Sequence, residues 1–308
     1  MFFVIGGANI DIYCKSDKDL VMKDSNPCKI SFTYGGVARN VVENLHNLNE
    51  DISFVTAFGD DYFADGMIKD LEKKDIDLSF SIRVPNYTSS IYMAVLNVDD
   101  LFIGMNDMSV ISKLSKENID FLARYVKEDD YLFIDTNLDK ELIEYILNNV
   151  KGVKVCDAIS ANKVVKLRGL TNKLDCLKMN LLEAETLSEK PLFLETETIK
   201  YIKDLVNEGI KEVLITGKDF LYAGSKDGVS KYSHNAYREE PVNVSGAGDA
   251  LIAYYMSARS KGLSIDEASK RGLVASILTV DVNAPTRKMD LDFVLEEAKS
   301  INITKEDY

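Results

Sequence analysis

Four short runs, at residues 131–135, 153–157, 176–180 and 212–216, constrain the fold more than any other feature of the chain. Helical patterns at 117–127, 140–149 and 196–208 alternate with them. Parallel strands need a crossover connection, usually a helix, so this order predicts a parallel sheet covered on both faces. Phe2-Phe3-Val4-Ile5-Gly6-Gly7 suits the same sheet, because an apolar run closed by glycines is what a strand buried on both sides looks like. Residues 52–59 predict a further strand, and 62–74 an amphipathic helix with Met67, Ile68 and Leu71 turned inward. The expected class is α/β, and 308 residues suffice for one large domain with a substantial core.

Residues 80–105 break the pattern. Strands at 81–84, 90–96 and 101–103, joined by short turns such as Asp99-Asp100, predict a small antiparallel sheet together with 30–34, set apart from the main one as a lid. Asp227-Gly228 predicts a hairpin with a type I′ turn. Residues 265–282 and 291–300 read as helices.

Charge and composition narrow the function. With 50 acidic against 37 basic residues the net charge is −13, which argues against a nucleic-acid partner. No apolar run approaches the roughly 20 residues that cross a bilayer, and the N-terminus enters a core strand without a signal-peptide pattern, so a cytoplasmic protein with no membrane partner is expected. Cys14, Cys28, Cys156 and Cys176 lack metal-like spacing and read as free, mostly buried thiols. His46 and His234 stand near no nucleophile motif and are assigned to structure.

The stretch from Asn243 to Ala250 ends in Gly246-Ala247-Gly248-Asp249 and runs into the apolar Leu251-Ile252-Ala253-Tyr254-Tyr255-Met256, which predicts a glycine-led helix start. Such a start has unpaired N–H groups and a partial positive charge of roughly half a unit, so it attracts phosphate. Asp249 beside those donors would repel phosphate, but it could accept the proton of an attacking hydroxyl, which points to phosphoryl transfer. The same residues also suit a glycine-rich turn whose acid merely complements the helix dipole. A second glycine-led start lies at Gly35-Gly36-Val37-Ala38-Arg39-Asn40, where the glycines allow close approach of a ligand and Asn40 offers both a donor and an acceptor to a sugar hydroxyl. Asn9 and Asp11 alternate with apolar residues just past the first strand and therefore share a face, as an exposed edge or as ligand contacts.

The two glycine motifs, in this order and with the Asn9/Asp11 strand, resemble the ribokinase-like (PfkB) sugar kinase family over almost the entire chain. Within the family the chain is most similar to the pseudouridine kinase branch, on Gly6-Gly7-Ala8-Asn9-Ile10-Asp11, Ser25-Asn26-Pro27, Val37-Ala38-Arg39-Asn40 with Glu43-Asn44-Leu45, Asn106-Asp107-Met108 and Glu183-Ala184-Glu185-Thr186-Leu187-Ser188. The resemblance implies a three-layer sandwich with a mainly parallel central sheet and a small β-sheet lid. It implies one domain over 1–308, with lid strands from about 12–34 and 80–105. It implies that ATP phosphorylates the 5′-hydroxyl of pseudouridine, with Asp249 as base and the Gly246-Ala247-Gly248 turn as anion hole. Asn9, Asp11, Gly35, Gly36 and Asn40 would bind the ribose, and Asn106 and Asp107 would sense the base. Asn180, Thr216 and Gly217 would serve the nucleotide, and Glu183 would meet Mg²⁺ through water. A homodimer through the lid sheet is implied as well.

Other readings stand beside these. Asn180 and Glu183 also suit a helix cap and a first-turn acid, Thr216-Gly217 an ordinary strand exit, and Asn106-Asp107 a turn. The chain departs from the family pattern at Cys28, Met179 and Phe220. Asn243 replaces an acidic residue, which leaves a monovalent cation such as K⁺ open. The acceptor could be another nucleoside or a free sugar of the ribose or fructose type, or the chain could be a sensing module without catalysis. A dinucleotide-binding oxidoreductase is excluded, because Gly6-Gly7-Ala8-Asn9 lacks the Gly-x-Gly-x-x-Gly fingerprint.

Overall fold

A computed structural model describes residues 1–97, 100–236, 246–280 and 284–308. Asp99 of the expected turn, Asn243 with its cation question, Val244, Ser245 and the end of the helix expected to reach 282 lie outside the described residues. In chain order the strands are β1 (Phe2–Ile5), β2 (Asn9–Ser16), β3 (Lys29–Gly35), β4 (Ile52–Val55), β5 (Ala57–Phe58), β6 (Ile82–Arg83), β7 (Ser90–Asn97), β8 (Asp100–Asp107), β9 (Tyr131–Asp135), β10 (Val153–Asp157), β11 (Cys176–Asn180), β12 (Glu212–Thr216), β13 (Phe220–Ser225), β14 (Gly228–His234) and β15 (Ile303–Asp307). The helices are α1 (Val37–Asn47), α2 (Tyr62–Glu72), α3 (Lys116–Ala123), α4 (Lys140–Asn149), α5 (Ala161–Val164), α6 (Leu181–Ser188), α7 (Glu195–Asn207), α8 (Ala247–Ser260), α9 (Ile265–Thr279) and α10 (Leu291–Glu297).

Among the described residues the main sheet has nine strands in the order β15-β14-β13-β12-β11-β10-β9-β1-β4. From β4 to β12 every neighbouring pair is parallel, and β13, β14 and β15 extend the sheet antiparallel. Alternation within the apolar runs sorts side chains between two helical layers. Phe3, Ile5, Leu132 and Ile134 pack with Ile119, Ile143 and Ile202 of α3, α4 and α7. Phe2, Val4, Phe54 and Phe133 pack with Val41, Met67, Ile252 and Ile277 of α1, α2, α8 and α9. Each such side chain stabilises the fold by about 1.5–3 kcal/mol through burial.

A four-stranded sheet in the order β3-β2-β7-β8 stands apart. It consists of two antiparallel pairs, β2/β3 and β7/β8, joined by the parallel pair β2/β7. Two expectations are corrected here. The run 52–59 divides after Val55, and Ile82–Arg83 pairs in parallel with Ala57–Phe58 as a two-stranded sheet instead of joining the small one, whose place is taken by β2. The hairpin near Asp227 exists, but Ser225 pairs with Gly228 and only Gly228 of the expected turn pair has positive φ, so the turn is not type I′. All four cysteines are free, Cys28 exposed and Cys14 half-buried.

Candidate active site

The two glycine-led helices meet at the C-terminal ends of the parallel strands, where open α/β sheets bind ligands. Gly36 is the N-cap of α1 with φ +99, and a Cβ there would lie 2.5 Å from the Gly7 carbonyl oxygen. A Cβ on Gly35 would collide with the Asp11 carboxylate. Gly246 caps α8 with φ +80, and a Cβ there would strike the Pro285 carbonyl. The backbone at these starts can come this close only because the residues are glycine.

Their side chains touch. Asn40 Nδ2 donates to Asp249 Oδ2 at 2.9 Å, joining positions 209 residues apart. Asn40 Oδ1 is buried without a hydrogen-bond partner among the described residues, an acceptor left for a ligand donor. Burial pushes the Asp249 carboxyl up to about 7, and the charges of Asp157 and Asp135 push the same way, against the Asn40 hydrogen bond and the Lys178 charge. Asn9 Nδ2 donates to Asp11 Oδ1 at 2.6 Å. Burial raises the Asp11 carboxyl, opposed by Asn9 and the charge of Arg39. Arg39 itself turns to the Tyr34 carbonyl and to Glu43 and Asp70.

On the other side of Asp249 lies a cavity of about 560 Å³ lined by Lys178, Asn180, Thr216, Gly217, Phe220 and Gly248, among others. Asn180, Thr216 and Gly217 are thus brought together with the α8 start. Two larger depressions, of about 650 and 620 Å³, lie beside α7 and beside β14/β15 and contain none of the candidate catalytic, substrate, nucleotide or metal residues. Asn180 and Glu183 form a reciprocal cap of α6: Asn180 N and Nδ2 donate to Glu183 Oε2 and Oε1, each at 2.7 Å, and Glu183 N donates to Asn180 Oδ1 at 2.9 Å. Burial and then the charge of Asp157 raise the Glu183 carboxyl. Gly217 N donates to the Phe220 carbonyl at 2.9 Å, and the Phe220 ring covers the place of a Gly217 Cβ. His234, assigned to structure from sequence, also lines this cavity.

The strand register separates Asn106 from Asp107. Asn106 pairs with Tyr92, which pairs with Asp11, so Asn106 shares the Asp11 face. Asp107 lies on the opposite face, and its Oδ1 accepts the Ser109 N–H at 2.9 Å. Sequence reading missed Asp135, Asn137, Asp157 and Lys178. Asp135 is fully buried and accepts from Gly7 N and Asn137 N, each at 2.9 Å. Lys178 Nζ lies 3.0 Å from Asp157 Oδ2. The available signal was a charged residue at or near the end of an apolar parallel strand. Among the described residues no group of three or more His, Cys, Asp or Glu side chains is arranged to hold a metal. Both Glu183 oxygens accept from Asn180, so direct coordination by Glu183 does not fit, whereas contact through water does.

Comparisons with known proteins agree with this architecture. The sequence profile described as pfkB family carbohydrate kinase matches residues 1–290. Pseudouridine kinase of Escherichia coli (strain K12) is 31% identical over 268 residues, covering 86% of this chain and 85% of the relative. A carbohydrate kinase from Agrobacterium tumefaciens superposes with a TM-score of 0.81 at 22% identity over 99% of each chain. Ribokinase of Arabidopsis thaliana, solved with ribose and ATP, superposes with a TM-score of 0.81 at 18% identity, over 97% of this chain and 98% of that one. The ribokinase-like fold expected from the sequence is therefore the fold observed.

Proposed function

The chain belongs to the pfkB family of carbohydrate kinases, and from that premise we propose that it phosphorylates the 5′-hydroxyl of pseudouridine with ATP. The observation that carries the phosphoryl-transfer reading is the Asn40–Asp249 hydrogen bond, which joins a hydroxyl-binding helix start to one suited to phosphate. The acceptor identity is supported by the 31% identical relative and by the motifs around Asn9, Asn40 and Asn106.

In this reading Asn9, Asp11, Gly36 and Asn40 hold the ribose, and Asn106 meets the base from the Asp11 face. Asp107, on the far face, supports the turn that follows. Asp249 takes the proton of the 5′-hydroxyl, and a carboxyl pushed up to about 7 is a stronger base than an ordinary one while still being ionised above neutrality. The N–H groups of Ala247 and Gly248, at the start opened by Gly246, receive the charge of the transferring group. The 560 Å³ cavity holds the nucleotide against Asn180, Thr216 and Gly217. Mg²⁺ would neutralise phosphate charge there, with Glu183 beyond its water shell. The small sheet, which carries Asp11, excludes water from the reacting atoms. Its other face exposes Ile30, Phe32, Ile103 and Met105, which favours a homodimer through that sheet.

The test is ADP release over a panel of pseudouridine, uridine, ribose and fructose. Pseudouridine should exceed each of the others in kcat/KM by about 10²-fold or more, as expected where polar groups read the substrate. A free sugar or uridine at or above the pseudouridine value overturns the acceptor and leaves the kinase.

A further inference from the structure

Lys178 has no part in the mechanism above, yet it occupies a costly position. The residue is 7% exposed, and among the described residues its ammonium has a single ion-pair partner, Asp157 at 3.0 Å. An ammonium carries three donors, and burying one costs several kcal/mol unless its surroundings repay it. Its position is equally specific. A Cβ on Gly248 would lie 2.5 Å from Nζ, so the ammonium rests against the first turn of α8 and lines the same cavity as Asn180 and Gly217. Asp157, Glu183 and Asp249 all act on it electrostatically, so a triphosphate entering beside α8 meets three carboxylates and needs a fixed cation.

We propose that Lys178 is a catalytic residue whose ammonium contacts the γ-phosphoryl oxygens during transfer, with Asp157 holding it in reach. The inference rests on the kinase reading. In the step, the acceptor hydroxyl oxygen bonds to the γ-phosphorus, and the bond from that phosphorus to the β–γ bridging oxygen breaks. ADP keeps the electron pair, the hydroxyl proton passes to Asp249, and Lys178 keeps its proton throughout.

Two measurements test this: steady-state turnover, and equilibrium titration with ADP and with the β,γ-imido analogue of ATP. Lys178→Met should lower kcat by about 10²–10³-fold, the effect of removing one preorganised charge-stabilising donor, with the acceptor KM within about 3-fold. The variant should also lose any preference for the analogue over ADP, and Lys178→Arg should recover at least about a tenth of the turnover. If Lys178→Met fails to fold because Asp157 is left unpaired, the double variant Asp157→Asn/Lys178→Met removes both charges and is measured instead. Turnover within about 3-fold of the parent overturns the proposal, as does equal weakening of ADP and analogue binding, which a purely structural lysine would give. If the parent protein turns over ATP with no acceptor in the panel, the kinase reading fails, and the analogue-versus-ADP titration still decides whether Lys178 meets the γ-phosphate.

Discussion

The two helix starts that meet in the site both open on glycine, but one presents a neutral amide to the site and the other a carboxylate. At α1 the first turn carries no acid, its Arg39 is engaged by the Tyr34 carbonyl, Glu43 and Asp70, and its neutral contribution to the site is Asn40, whose donor is used by Asp249 and whose acceptor has no partner among the described residues. At α8 the first turn carries Asp249, which lies within the influence of Asp157, Lys178 and Asp135. A neutral amide can recognise a hydroxyl without disturbing the charge balance. A buried acid has its proton affinity set by burial and by its neighbours. The division that follows is that the α1 end binds and the α8 end reacts.

The largest expected effect comes from removing the acid. Asp249→Asn should lower kcat by about 10²–10⁴-fold while the acceptor KM moves only a few-fold. Near-normal turnover would break the division at once. The same variant should be more stable. Asp249 in the folded protein holds its proton up to about pH 7, far above its ordinary value of 3.8. Between those values the folded state binds more protons than the unfolded one, so stability falls as pH rises and the full cost is present above pH 7. An uncharged side chain removes that cost, and at pH 8 the melting temperature of Asp249→Asn should exceed that of the parent by about 2–6 °C. A melting temperature at or below the parent value would show that the charge is compensated in the folded site.

Next in size is the neutral side. Asn40→Ala should raise the acceptor KM by about 10-fold, the worth of one good hydrogen bond, with a smaller loss of kcat. A kcat loss as deep as that of Asp249→Asn with KM unchanged would mean that the α1 end also serves the chemical step.

How far this comparison could be read from the sequence differs between its halves. Gly35-Gly36, Asn40 and Gly246 to Asp249 are contiguous motifs whose spacing is local, and the apolar runs 2–5 and 131–135 announce buried strands by composition alone. What the motifs cannot state is pairing between distant strands. Asp157 and Lys178 meet because β10 and β11 are adjacent and in register, with Asp157 opposite Lys178. Asp107 leaves the face of Asn106 through simple alternation once the β7/β8 register is known. β15 was not foreseen because Ile303-Thr304-Lys305-Glu306-Asp307 is mostly exposed and has no apolar signature, and it is held by backbone pairing to β14. Ile82–Arg83 went to the wrong sheet because two residues carry too little pattern to choose a partner.

The smallest effect is the most discriminating, because it moves a pH profile more than a rate. If Asp249 is the base, kcat/KM should rise with slope 1 below about pH 7 and level off above, since only the ionised carboxylate accepts a proton. Asp157 makes that anion costlier by repulsion, and its ion pair draws Lys178, whose charge favours the anion, to its own side. Asp157→Asn removes the repulsion, so the inflection should move to lower pH. The plateau should fall by at least about 2–5-fold, because a carboxylate of lower proton affinity is a weaker base and Lys178 loses the partner that holds it in reach. Asn40→Ala removes a hydrogen bond that favours the anion, and the inflection should move to higher pH. Opposite displacements from Asp157→Asn at the end of β10 and Asn40→Ala on α1 tie the titrating group to Asp249. If both variants keep the parent inflection, the group that titrates is another one, and the charged end of the site has been assigned to the wrong carboxylate.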